Sequence, residues 1–253
     1  MSSPSRAHSF NAAAAQYAAN RPSYPPAVLD AVAELGELSL AGARVADVGA
    51  GTGIATALLR ERGAEVVAVE PGAGMAAEFR RALPDVPLVR GDGNALPLAT
   101  ASRDLLTYAQ SWHWTDTARS VPEALRVLRP GGALALWWNT DSADIPWAIA
   151  QDERIARACG VEPKDRHRPD DIRAGRLSGL AELPHTRRLL RWSRTVPLDT
   201  HLANVTSHSA FLILDEARTA RFLAEERAAL GELFPAGMVE ETYVVDLLVA
   251  RVP

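Results

Sequence analysis

The stretch Val45-Ala46-Asp47-Val48-Gly49-Ala50-Gly51-Thr52-Gly53 decides how the rest of this 253-residue chain is read. Arg44–Val48 has the short apolar character of a buried strand, it runs into three glycines within five positions, and helical composition resumes at Ile54. A strand, a glycine-rich turn and a helix in that order mark the carboxyl edge of an open α/β sheet, where such sheets bind ligands. Glycine there lets the backbone turn sharply and approach a bound molecule closely. The spacing discriminates between ligands. In the dinucleotide fingerprint G-x-G-x-x-G the third glycine would stand at position 54, which is Ile54; here it comes one residue early. Asp47, two residues ahead of the first glycine, suits a ligand that carries an ammonium group rather than phosphates alone.

Working outward, short β-branched runs alternate with helical stretches. Strands are predicted at Arg44–Val48, Glu65–Glu70, Val86–Arg90, Arg103–Tyr108 and Ala133–Asn139, with helices at Ile54–Glu61, Gly74–Ala82 and Ala118–Leu128. This alternation indicates βαβ units and a parallel sheet with right-handed crossovers. The fold class is therefore α/β, a Rossmann-like doubly wound sheet. The tail changes character: helices are expected at Ile145–Ala158, Asp199–Ser207 and Glu216–Leu233. A strand at Val239–Arg251 is expected to pair antiparallel with Leu189–Val196 at the sheet edge. The whole of 1–253 reads as one domain, with an N-terminal lid (1–30, including a helix over Asn11–Ala19), a ligand-binding core (40–140) and cap elements (141–186 and 199–233).

Two further signals lie on the same edge. Glu70 closes the second strand, where an acid can take a ribose hydroxyl pair through two hydrogen bonds. Gly91-Asp92-Gly93-Asn94-Ala95 follows the third strand; its Asp can accept from an adenine amino group, and the same residues equally make a plain Asx turn.

Together with Leu128-Arg129-Pro130-Gly131-Gly132, these segments resemble the ordered motifs of class I S-adenosylmethionine (SAM)-dependent methyltransferases. The resemblance is to the methyltransferase-11-like group that includes trans-aconitate methyltransferase-like enzymes. It implies cofactor contacts from Asp47, Gly49, Ala50, Gly51, Thr52, Gly53, Glu70, Pro71, Met75, Gly91, Asp92, Gly93, Asn94 and Ala95, and from Gln110 and Trp112 after the fourth strand. Phe10, Tyr17, Arg21-Pro22 and Tyr24-Pro25 resemble that group's lid, which makes Tyr17 and Arg21 candidates for the SAM carboxylate. The implied product is S-adenosylhomocysteine.

The acceptor side rests on Tyr108-Ala109-Gln110-Ser111-Trp112-His113-Trp114. His113 titrates near neutrality when unperturbed and is a candidate general base or a pocket-shaping residue. Trp112, Trp114, Trp137, Trp138 and Trp147 are five of six tryptophans, and their nearness in sequence suggests an aromatic-walled pocket for a planar substrate. Tyr24, Trp114, Trp138, Asn139, Trp147 and His208 are the candidate substrate contacts.

Composition prunes the remainder. A net charge of −4 and pI of about 5.9 leave no footprint for nucleic acid. Arg187, Arg188, Arg191 and Arg194 read as a solvated strand face. No apolar run reaches membrane-spanning length, and the single Cys159 excludes an intrachain disulfide or thiolate cluster. A cytoplasmic location follows. No metal is expected, because Gln110 stands where a magnesium-binding carboxylate would be needed and Asn139 with Asp141 make a poor cage. The expected reaction is methyl transfer from SAM to O, N or C of a small, aromatic or heteroaromatic metabolite, in a bacterial, secondary-metabolic setting. The alternatives are a SAM-bound step without methyl transfer, such as a cyclisation, and a nicotinamide-dependent reduction. Oligomeric state is not legible.

Overall fold

The structure is a computed structural model that describes residues 21–142, 144–161, 180, 183–207, 211, 214–252. Tyr17 and His208 lie outside the described residues, as does the helix expected over Asn11–Ala19. The core runs α1 (Ala27–Leu35), β1 (Arg44–Val48), α2 (Ile54–Glu61), β2 (Glu65–Val69), α3 (Ala73–Ala82), β3 (Leu88–Val89), β4 (Arg103–Ala109), a 3-10 turn (Trp112–Trp114), α4 (Thr117–Val127) and β5 (Leu128–Asp141). The tail adds α5 (Pro146–Cys159), β6 (His185–Pro197), α6 (Leu198–Thr206), α7 (Glu216–Leu233) and β7 (Met238–Arg251).

Helix α1 goes unmarked in the sequence reading. Nine residues are too few to hold a helix in water on propensity alone. It stands because Val28, Leu29, Ala31 and Val32 are buried.

The seven strands form one sheet in the order β3-β2-β1-β4-β5-β7-β6. β1 is parallel to β2 and β4, β2 to β3, and β4 to β5. β7 is antiparallel to both its neighbours, β5 and β6. The expected doubly wound sheet and the expected antiparallel pair are both present. β7 itself lies inside the sheet, and β6 is the edge.

Two apolar layers cover the sheet. The α1–α2 face buries Val28, Val32, Leu59, Leu105, Trp137, Val245 and Leu247; the other face buries Leu106, Tyr108, Trp112, Val127, Leu136 and Trp138. Adjacent residues divide between the layers because strand side chains alternate. The edge strand is guarded by charge: Arg187 pairs with Asp246, Arg188 with Glu34, Arg191 with Asp144 and Arg194 with Glu241. An edge of paired arginines discourages strand addition, and these residues form no free basic patch.

The tail helices pack on one another around Cys159, Val205, Phe211 and Phe222. A buried polar seam fastens them to β7. Glu226 of α7 accepts from Arg154 (2.6 and 2.8 Å) and Gln151 (3.0 Å) of α5. Gln151 Nε2 also lies 2.7 Å from His201 Nε2 of α6, and His201 Nδ1 lies 2.7 Å from a Glu241 oxygen. An amide nitrogen can only donate, so His201 accepts at Nε2 and donates from Nδ1 to Glu241. The other Glu241 oxygen accepts from Arg194 (2.5 Å) and the Tyr243 hydroxyl (2.8 Å). Burial pushes the Glu241 carboxyl up, but the His201 and Arg194 bonds outweigh it and hold it below its ordinary value. A carboxylate with a depressed folded pKa contributes stability above the ordinary glutamate range, and that contribution is lost as pH falls through the folded value. Thermal unfolding should therefore show a drop in midpoint between neutral pH and the acid range, and Glu241→Gln should be less stable at neutral pH with a shallower acid dependence. An unaltered profile in that variant would remove Glu241 from the account.

Candidate active site

Asp47 has no exposed surface. Its carboxylate accepts from Thr56 Oγ1 of α2 at 2.6 Å and from Thr107 Oγ1 of β4 at 2.9 Å. Burial raises its pKa, against the lowering effect of those hydroxyls. Asp47 therefore supports the glycine turn from beneath, tied to α2 and β4.

Above it, Gly49 has φ +67° and its N–H donates to the Val69 carbonyl at 2.8 Å. A Cβ on Gly49 would stand 2.5 Å from the Ser111 Cβ, so β1 and the segment after β4 meet here with no room for a side chain. Ser111 holds the junction by donating to the Val48 carbonyl at 2.5 Å; nothing in the sequence distinguishes it from its aromatic neighbours. Gly51 differs. Its φ is +60°, and among the described residues nothing lies within 4 Å of where its Cβ would be, so they leave the turn open on that side. Thr52 and Gly53 are buried, and Ala50 is half-buried over Phe79.

Glu70 lies just past β2 and is 6% exposed. One oxygen accepts from Gly51 N at 2.9 Å and the other from Gly72 N at 2.6 Å. Burial raises its pKa, opposed by those two N–H groups. The carboxylate thus spans the glycine turn and the start of α3, beside half-buried Pro71 and above Met75, which is buried on the inner face of α3. At the third strand, Asp92 Oδ1 accepts from Asn94 N at 2.7 Å, while Asn94 Oδ1 accepts from Asp116 N. Gly91 to Ala95 is therefore an Asx turn with an exposed Asp92, Gly93 packed on Thr115 and Tyr108, and an exposed Ala95.

After β4 the chain strains. Gln110 is one of three described non-glycine residues with positive φ (+62°). Its N–H donates to the Trp137 carbonyl and its Nε2 to the Asn139 carbonyl at 3.3 Å. Backbone strain held by neighbours is a mark of functional loops.

The aromatic residues part company with expectation. Trp112 is fully buried edge-on to Tyr108 (4.7 Å, 89°), and Trp138 is 2% exposed in the same layer. Trp137 points to the opposite layer, and Trp147 sits among the tail helices against His201 and Phe234. Alternation along β5 forbids Trp137 and Trp138 from lining one pocket, so the five tryptophans make no common wall. Trp112 is buried in the core layer beneath the sheet edge.

His113 is exposed, tilted against half-buried Trp114 at 4.8 Å. Its Nδ1 accepts from the Trp138 indole N–H at 3.2 Å. An indole can only donate, so the neutral ring carries its proton on Nε2 and the remaining lone pair is already engaged. Taking a proton would break the bond to Trp138. With Nδ1 so engaged, the neutral His113 ring presents an N–H at Nε2.

Tyr24 packs edge-on against Trp137 (5.7 Å, 89°). Asn139, half-buried two residues along β5, accepts from Trp192 Nε1 of β6 at 2.9 Å, and Trp192 stacks on Tyr243 of β7 (5.2 Å, 29°). The structure thus brings Tyr24 and Asn139 to one face and adds Trp192 and Tyr243, for which only the strand pairing gave a signal. Trp147 and Trp138 are elsewhere. Arg21 is half-buried at the first described position. Among the described residues no group of three or more His, Cys, Asp or Glu could hold a metal ion, and no helix is long and apolar enough to cross a membrane.

Residues 46–136 match the family described as a methyltransferase domain. An uncharacterized methyltransferase of Mycobacterium tuberculosis is 45% identical over 149 residues, 59% of this chain and 59% of its own length. A demethylmenaquinone methyltransferase of Beutenbergia cavernae is 39% identical over 108 residues, 42% of this chain and 44% of that protein. The chain thus spans well under two thirds of the length of these curated relatives. Among solved structures, one described as a type II methyltransferase from Anaeromyxobacter dehalogenans superposes with a TM-score of 0.72 at 24% identity, over 92% of this chain and 99% of that one. The fold is that of Rossmann-like methyltransferase structures, and residues 46–136 are similar to a methyltransferase domain.

The glycine turn yields a direct test. Gly51→Ala should cost only the left-handed backbone penalty of about 1–2 kcal/mol. Gly49→Ala should cost about 1–3 kcal/mol more, because its methyl group overpacks Ser111. Urea unfolding of the two variants measures the difference, and equal losses would show that the Ser111 contact does not constrain the turn.

Proposed function

We propose that this protein transfers the methyl group of S-adenosylmethionine to a small planar acceptor. The observation that carries the reading is the Glu70 carboxylate bridging Gly51 and Gly72 beneath a glycine whose outer side is open. These residues fit the cofactor. Glu70 keeps lone pairs for a ribose hydroxyl pair, the open side of Gly51 admits the chain of the amino acid, and exposed Asp92 lies at the adenine end. Arg21, and Tyr17 by its resemblance to the lid, would meet the carboxylate.

When bound, the cofactor supplies an electrophilic methyl group, and S-adenosylhomocysteine remains after transfer. The protein's share is placement and exclusion of water, which can supply most of the rate. His113 donates from Nε2 in this scheme, so an acceptor hydroxyl or amine must lose its proton to another group or to solvent. Relatives named as demethylmenaquinone methyltransferases and as a malonyl-[acyl-carrier protein] O-methyltransferase favour methyl transfer over a SAM-bound step of another kind.

Two measurements test this. Methyl-labelled SAM incubated with phenolic, heteroaromatic and carboxylate metabolites should give a labelled product by mass spectrometry; cofactor binding without any label transfer would favour the non-methylating alternative. In calorimetric titration with S-adenosylhomocysteine, Glu70→Gln should weaken binding roughly tenfold or more, since its amide turns one acceptor toward a backbone N–H into a donor. Undiminished affinity in that variant would sink the placement of the ribose on Glu70.

A further inference from the structure

Two buried donors near the end of β5 have no hydrogen-bond partner: Trp137 Nε1 and Asn139 Nδ2. They are two residues apart on one strand, so they share the α1 face of the sheet. Both lie at the carboxyl edge, because Trp137 is in register with Ala109, the residue before strained Gln110. Buried donors are nearly always paired, and an unpaired one is costly, so such a group in a folded protein calls for an explanation. The rest of Asn139 is firmly fixed. Its side-chain oxygen takes the Trp192 indole N–H and its backbone carbonyl takes Gln110 Nε2. These contacts orient the amide so that its nitrogen, not its oxygen, is left over. Around the pair stand flat rings: Tyr24 edge-on to Trp137, and Trp192 stacked on Tyr243.

We propose that Asn139 Nδ2 and Trp137 Nε1 form the recognition point for the acceptor, reading a carbonyl or carboxylate oxygen on a planar molecule held among Tyr24 and Trp192. Two unpaired donors side by side on β5 select a group that accepts hydrogen bonds. A site that presents a buried donor also rejects an analogue lacking the matching oxygen, because the donor is then left unpaired. The ligand's role as methyl acceptor rests on the function proposed above; the recognition itself does not need turnover.

The test uses the full chain saturated with S-adenosylhomocysteine and three probes of one shape: para-hydroxybenzoate, para-hydroxyacetophenone and para-ethylphenol. Calorimetry should show at least one of the oxygen-bearing probes binding roughly tenfold or more tightly than the ethyl compound, and which one separates carboxylate from ketone recognition. Asn139→Asp keeps the oxygen that accepts from Trp192 and removes only the free N–H; it should abolish that preference and repel the carboxylate. Trp137→Phe, which keeps an apolar ring and deletes the second donor, should reduce the preference severalfold and guards against a misfolded aspartate variant. Affinity for S-adenosylhomocysteine and the thermal midpoint should hold in whichever variant is scored. Equal affinity for all three probes, binding of none, or an undiminished preference in both variants overturns the proposal. If S-adenosylhomocysteine still binds in those cases, the cofactor reading survives, whereas failure of the wild-type protein to bind it would sink the proposed function instead.

Discussion

The carboxyl edge of the sheet depends on one buried carboxylate. Asp47 sits with no solvent contact, and an isolated charge in such a place would be prohibitively expensive. Thr56 and Thr107 meet it with two hydroxyl groups, and in doing so they fasten α2 and β4 to β1. The glycine turn is strung between Asp47 and Thr56, so both of its ends are pinned before any ligand arrives. Only with the turn held in place can Gly51 N reach Glu70, and only with β4 held can Ser111 close on Gly49 and Val48. The pin is polar, and its geometry is directional, which an apolar contact at the same place would not be.

That arrangement explains which features the sequence made plain. The strand–turn–helix order, the glycine spacing and Glu70 are local: each is read from neighbours along the chain or from the simple alternation of strands and helices. The sheet they imply is the sheet observed, including the antiparallel pairing of the last strand. Boundaries were softer. β3 pairs over only Leu88–Val89, and β5 begins at Leu128, ahead of the glycines thought to precede it. The buried anchoring of Asp47 has no signature in the sequence, because its two partners are threonines, nine and sixty residues away, with nothing in their type to announce them. The tryptophans were misread for a simpler reason. Nearness in sequence was taken for nearness in space, yet consecutive strand residues face opposite ways, and Trp137 and Trp138 are separated by the sheet itself.

The acceptor side is of a different kind. Asn139 and Trp192 are 53 residues apart, and β5 and β6 are not paired; β7 lies between them and sets the register of both. His201 meets Glu241 across 40 residues, again through β7. Such contacts have no signature in a single sequence, because each partner alone is an ordinary residue on an ordinary strand or helix. The seam of Gln151, His201, Glu226 and Glu241 shows the same logic at larger scale, since four elements contribute one group each and every polar atom it needs comes from somewhere else in the chain.

The two halves of the site therefore answer to different constraints. On the cofactor side, Asp47, Gly49 and Glu70 are bound to one another through β1, β2 and β4, and none of these strands touches β6. On the acceptor side, the orientation of the Asn139 amide is decided by Trp192, which sits on the edge strand and is partly exposed there. A change on β6 can move Trp192 against Asn139, and so alter which half of that amide faces the ligand, while the carboxylate pin and the glycine turn stay as they are. On the function proposed above, cofactor binding and acceptor choice are physically separable, and the edge strand that closes the sheet is the element on which acceptor selection would turn.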